Sequence, residues 1–188
     1  MPSASALPSV LFAADLSWVE LQAARLDGEL YPLADAYCLI GELESPPHRA
    51  RSVLGARSSR LIAELDTAAW IWGVPVRPLS PRFAVTPDAR ARLSPDQHAK
   101  VREVVYDDGD LIQLDGVRVT TPVRTVIDLA RFDEPFRPLI VAQLAAIAGL
   151  HLVDCLAALE ARPGIPAKNR AKANLKAALT QTYAVDTR

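Results

Sequence analysis

The chain has 188 residues, half of them hydrophobic and 23% charged, with a formal net charge of -1. That supply of apolar side chains excludes a chain disordered throughout. The near-zero charge excludes strong nucleic-acid binding by net electrostatics alone, because duplex affinity depends on phosphate neutralisation by Lys and Arg.

Residues 1–16 lack the positively charged start of a secretory signal and carry Pro8 and Asp15, so export is not expected. Residues 16–27 place Leu16, Val19, Ala23 and Leu26 at helical spacing, with Gly28 as a stop, which predicts a short amphipathic helix. Residues 29–40 are rich in Tyr, Leu and Ile but interrupted by Pro32 and Asp35, as two short strands or an edge hairpin would be. Pro46 and Pro47 read as punctuation. A helix is predicted from Ser58 to Trp72, with Leu61, Leu65, Ala68, Ala69 and Trp72 on one face and Gly73 and Pro75 ending it. Trp70 and Trp72 then point to opposite sides of that helix, and core packing is the favoured role for these large indoles.

Prolines at 75, 78, 81, 87 and 95 imply extended segments and turns. Residues 101–122 read as a three-stranded meander, with Asp108-Gly109 and Asp115-Gly116 as its turns. Thr121 and Pro122 then occupy the N-cap and first position of a helix over 122–131, whose Val123, Val126, Ile127 and Ala130 face the core. Helices over 138–148 and 151–161 meet at Gly149, and a basic helix runs from about 167 to 180. The nearly apolar stretch 139–150 contains Gln143 and falls short of the roughly 20 residues a bilayer span needs, so it reads as a core helix. The pattern is α+β: a small mixed sheet with packed helices, then an all-helical C-terminal part. We divide it into a truncated or degenerate winged-helix-like segment (1–45), an α+β core (46–135) and a helical extension (136–188).

Charge is segregated along the chain. His48, Arg49, Arg51, Arg57 and Arg60 form one basic run, and Arg162, Lys168, Arg170, Lys172 and Lys176 a second. Each is either a solvated face, with lysine stems covering apolar surface, or a contact for an anionic partner such as DNA or an acidic protein. Glu103, Asp107, Asp108, Asp110 and Asp115 form an acidic segment. Asp107, Asp108 and Asp110 could hold a divalent cation, but their Asp-Gly setting favours a solvated turn. Arg124, Asp128 and Arg131 share a helix face at i, i+4 and i+7, and an ion pair that orients the helix on the sheet is favoured over a partner contact. His48, His98 and His151 lack metal-pair spacing, and Cys38 and Cys155 lie too far apart in unlike surroundings for a disulfide framework or a cysteine-based metal site. No nucleophile elbow, P-loop or dinucleotide fingerprint occurs, so no catalytic residue and no cofactor is assigned. A cytoplasmic, non-membrane protein with two buried thiols is expected.

The stretch GVRVTTPVRTVIDLAR, residues 116–131, resembles a strand-to-helix motif of AbiEi-type antitoxins and transcription regulators, including relatives that carry a Vsr-like nuclease domain further on. Residues 61–74, LIAELDTAAWIWGV, are similar to a second landmark of the same proteins, and residues 159–175 resemble the linker ahead of the nuclease domain. The resemblance implies a non-enzymatic protein in which a winged helix binds promoter DNA and a second domain neutralises a nucleotidyltransferase toxin. In place of the family's basic residues and turn glycine, the wing segment 28–37 carries Pro32, Ala34 and Asp35, and only residues 1–27 precede it. A protein-interaction scaffold and a remnant of the nuclease-fused architecture are the alternatives; the latter requires an acidic pair and a lysine on a strand, which the sequence does not offer.

Overall fold

The computed structural model describes residues 8–55, 57, 59–89 and 100–180. Its first unit contains β1 (Val10–Leu11), α1 (Trp18–Leu26), β2 (Leu30–Leu33) and β3 (Ala36–Leu39), with the antiparallel sheet ordered β1-β3-β2. Ser17 starts α1 through a capping box: its hydroxyl accepts from the Glu20 N–H at 3.3 Å, and the Ser17 N–H donates to the Glu20 carboxylate at 2.9 Å. Leu11, Leu21 and Leu30 form a small core beneath this helix. The β2–β3 turn places Ala34 at φ 51°, a left-handed position that usually favours glycine.

A second sheet contains β4 (Ile62–Ala63), β5 (Arg82–Val85), β6 (Lys100–Glu103), β7 (Leu111–Leu114) and β8 (Val117–Thr120), ordered β6-β5-β4-β8-β7. The pairs β4–β5 and β7–β8 are antiparallel, whereas β4–β8 and β5–β6 are parallel. Helices α2 (Pro46–Leu54) and α3 (Leu65–Ile71) precede and interrupt the sheet; α4 (Pro122–Phe132), α5 (Pro138–Ile147), α6 (Leu152–Glu160) and α7 (Lys168–Thr180) follow it. This is the α+β class with a helical C-terminal part that the sequence implies.

Three expectations are corrected. Residues 58–72 do not form one helix, because β4 occupies 62–63 and α3 begins only at Leu65, whose φ of 52° turns the chain sharply out of the strand. Leu61 and Leu65 are both buried, so strand and helix bury the same positions that a single helical stripe would. Residues 101–122 are no meander: β7 and β8 make the Asp115-Gly116 hairpin, but β6 joins β5 at the opposite edge of the sheet. Pro46 and Pro47 open α2 instead of merely breaking the chain, in the first-turn positions where a missing N–H does no harm.

One apolar cluster gathers β1, β3, α2, β4, β5 and β8 around Phe83, Ile71 and Leu61. Another gathers α3 to α7 around Ile127, Leu144, Leu159 and Leu175. Val126, Ile127 and Ala130 are fully buried as expected, and Val123 is partly so. Trp70 is buried, while Trp72 packs at the margin of both clusters and donates its indole N–H to the Thr120 carbonyl at 2.8 Å. Cys38 and Cys155 are buried free thiols, and burial pushes the Cys155 thiol up to about 11. Among the described residues no single helix is long and apolar enough to cross a membrane; the apolar helices α5 and α6 meet at 101°.

Candidate functional site

Helix α4 is the buried axis of an ionic network. Thr121 and Pro122 start it where expected, although the Thr121 hydroxyl makes no capping bond; its carbonyl instead accepts from the Thr125 hydroxyl at 2.9 Å. Asp128, without exposure, accepts from Arg124 Nε at 2.8 Å and Arg131 Nη1 at 2.7 Å. The intrahelical ion pairs are therefore present, but as interior chemistry instead of surface chemistry. Arg131 also donates from Nε to the Pro166 carbonyl at 2.9 Å, which ties α4 to the turn before α7.

Asp110 overturns the solvated-turn expectation. Its carboxylate is fully buried and is gripped by Arg124 Nη1 and Arg162 Nη2, while the Asp107 N–H donates to it at 3.0 Å. Asp107 itself is exposed, as expected of a turn. The Asp108-Gly109 signal marks a real turn, but its neighbour Asp110 points inward because Arg162, 52 positions later, supplies the compensating charge.

Glu64, at the strained step from β4 to α3, is the third buried carboxylate. Arg102 of β6 holds it with two hydrogen bonds of 2.6 and 2.7 Å, and the Tyr106 hydroxyl donates to it at 3.3 Å. Aromatic rings complete the arrangement: Arg102 and Arg131 lie 4.5 and 4.3 Å from the Phe132 ring centre, and Arg124 lies 4.8 Å from that of Tyr106. Burial, reinforced by the charges of Glu64 and Asp128, pushes the Tyr106 phenol up and keeps it neutral. Burial also opposes charge on Arg124 and Arg131. For Arg124 the carboxylates prevail and raise its affinity for the proton, whereas for Arg131 burial prevails and lowers it, despite Asp128.

Arg102, Arg124, Arg131, Phe132 and Arg162 border a cleft of about 630 Å³. Its lining also takes in Val104, Val105, residues 161–166 and two acidic residues, Glu103 and Asp107. Nothing in the local sequence singles out Arg102, Glu64, Tyr106 or Phe132. Asp110 stands out there only as a potential cation ligand, and Arg162 only as a member of the second basic run.

The basic runs are less available than their charge implies. Arg49 pairs with Glu44, donates to the Trp70 carbonyl at 2.6 Å and covers the Trp70 ring. Arg57 pairs with Asp35 at 3.0 Å and lies over Phe83, whereas Arg51 is exposed and approaches the Phe12 ring. Arg60 is exposed. His48 bonds to the Leu43 carbonyl and Glu42. In the second run Lys168, at 2.9 Å, and Lys172 share Glu160, Arg170 reaches Glu134 and the Asp133 carbonyl, and Lys176 is exposed. His151 caps α6, and His98 lies outside the described residues. No group of three or more His, Cys, Asp or Glu side chains suited to a metal occurs among the described residues.

No family model matches the sequence, and no curated protein matches it. Among solved structures, the crystal structure of the RV2827C protein from Mycobacterium tuberculosis aligns over 93% of this chain and 76% of that one, with 19% identity and a TM-score of 0.44.

Proposed function

We propose that this chain is a non-enzymatic binding protein of the AbiEi antitoxin or regulator kind. The observation that carries this reading is the occupation of its buried carboxylates. A metal-dependent nuclease needs acids open to a cation. Here Asp128 and Asp110 each accept from two arginines, and Glu64 accepts a two-point contact from Arg102. Such a network shapes and stiffens the strand-helix landmark of residues 116–131 instead of activating water.

The first unit supports the regulator half. A strand, a helix and a hairpin whose second strand pairs with the first have the order of the later part of a winged helix. Helix α1 turns Trp18, Val19, Ala23 and Leu26 outward, with Arg25 its one basic residue. That surface favours a protein partner, such as a cognate toxin, over a DNA groove, where phosphate-binding and base-reading side chains predominate. DNA contact on this reading falls to the exposed Arg51 and Lys176.

The deciding experiment measures binding of the purified protein to its own upstream promoter fragment over a salt series, alongside incubation with single- and double-stranded DNA and RNA in Mg²⁺ or Mn²⁺. Intact nucleic acid is expected throughout. Reproducible cleavage abolished by Asp108→Asn, or by an Asp110→Asn variant that keeps the parent far-UV spectrum, would overturn the non-enzymatic reading, and promoter binding with a steep salt slope would favour the DNA arm over the toxin arm.

A further inference from the structure

The arginine cleft has a property that the regulator reading does not use. Four guanidinium groups, those of Arg102, Arg124, Arg131 and Arg162, meet three buried carboxylates, Glu64, Asp110 and Asp128, and the lining of the cleft adds two exposed acidic residues, Glu103 and Asp107. Tyr106 stays neutral, so it adds no negative charge. Asp107 approaches Arg162 Nε but stops at 3.8 Å with its own side chain 70% exposed. Consequently Arg162 Nε is a buried N–H without an acceptor, a costly condition for a polar group. Arg124 and Arg131 use Nε and Nη1 on protein acceptors, which leaves Nη2 of each without one among the described residues.

We propose that this cleft binds the phosphate monoester of a nucleotide-sized molecule, with the dianion completing the ionic network between Arg124, Arg131 and Arg162. Guanidinium forks match phosphate oxygens in geometry as well as charge. The volume of about 630 Å³ exceeds what a free phosphate requires and lies in the range of small-molecule sites. Val104, Val105, Phe132 and Ile165 supply apolar lining beside the arginines, suited to a flat, weakly polar group such as a base. The Pro166 carbonyl, bonded to Arg131, and the Ala158 carbonyl, bonded to Arg162 at 2.6 Å, hold both arginines in place before any ligand arrives.

The test is calorimetric titration of the full chain with AMP, adenosine and inorganic phosphate near neutral pH. AMP should bind with a Kd below about 1 mM, and adenosine and inorganic phosphate each at least roughly tenfold more weakly. Arg162→Gln should weaken AMP by about tenfold or more while keeping the parent far-UV spectrum. Asp107→Asn, which removes an exposed competing carboxylate, should tighten AMP several-fold, and it decides the matter if the arginine variant does not fold. The absence of AMP binding at about 10 mM, equal affinity for AMP and adenosine, or unaltered affinity in folded Arg162→Gln or in Asp107→Asn would each overturn the proposal. Equal affinity for inorganic phosphate and AMP would overturn its nucleotide part. A duplex oligonucleotide bound through Arg162 without competition from AMP would also overturn it, in favour of a nucleic-acid backbone.

Discussion

The α1 unit and the α4 region depart from ordinary burial in opposite directions. Around α1 the interior is a small set of leucines, while Trp18, Val19 and Leu26 stand 63%, 74% and 77% exposed. Around α4 the interior holds Arg124, Asp128, Arg131, Asp110 and Glu64, and apolar packing lies beside them in the helical cluster. Apolar groups left outside point to a covering partner, whereas charges taken inside are tolerated only because each finds an opposite. The two regions therefore have different vulnerabilities: the first loses little stability with a side chain, the second loses much of it with a charge.

The largest expected effect is at Asp128. Asp128→Ala leaves Arg124 and Arg131 buried without their shared acceptor and should cost roughly 3 to 5 kcal/mol in urea unfolding. A loss below about 1 kcal/mol would show that water compensates the arginines and would dissolve the contrast. Its neighbour provides the apolar counterpart: Ile127→Ala should cost roughly 2 to 5 kcal/mol through lost transfer energy and a cavity. An unchanged melting curve there would mean that α4 is misplaced in register.

At Trp18 the expectation is nearly nil. Its edge contact with Tyr37, with ring centres 6.4 Å apart, is the aromatic interaction lost in Trp18→Ser, so stability should fall by about 1 kcal/mol or less. Diminished self-association or toxin capture at unchanged stability would sharpen the assignment of α1 as a contact face. Smallest of all is Glu160→Gln. Hydrogen bonds from Lys168 and then Lys172 hold the Glu160 carboxyl down at about 2, below its ordinary 4.5. Its contribution is thus complete above pH 4.5 and disappears as pH falls through about 2, so parent and variant melting temperatures should differ slightly at neutral pH and converge in acid.

Local signals carried much of the architecture into view. The helical spacing of residues 16–27 and Gly28 announce α1, although Val19, Ala23 and Leu26 face outward and Leu21 is its buried residue; Thr121-Pro122 announces α4, and Asp115-Gly116 announces a true hairpin. What stayed hidden depends on separation along the chain. Nothing near β6 says that its partner is β5 instead of β7, and nothing near Asp110 reveals Arg162. The helical stripe at 61–72 misled because β4 is only two residues long and a buried short strand has no periodicity to display. For the candidate site, Arg124, Asp128 and Arg131 were readable as a helical triplet, but their depth was not, since i, i+4 spacing is the same on a wet face and a dry one.

The central position of β4 also bears on how the chain is made. Ile62 lies beside Arg118 in the finished sheet, so one flank of β4 stays open until β8 has left the ribosome. At about 5 to 20 residues per second that interval is on the order of seconds. Meanwhile Leu61 and Ile62, which end wholly enclosed, form part of an uncovered strand edge, a template for pairing with another nascent chain. Chaperone access during this interval should therefore raise the soluble yield of the protein.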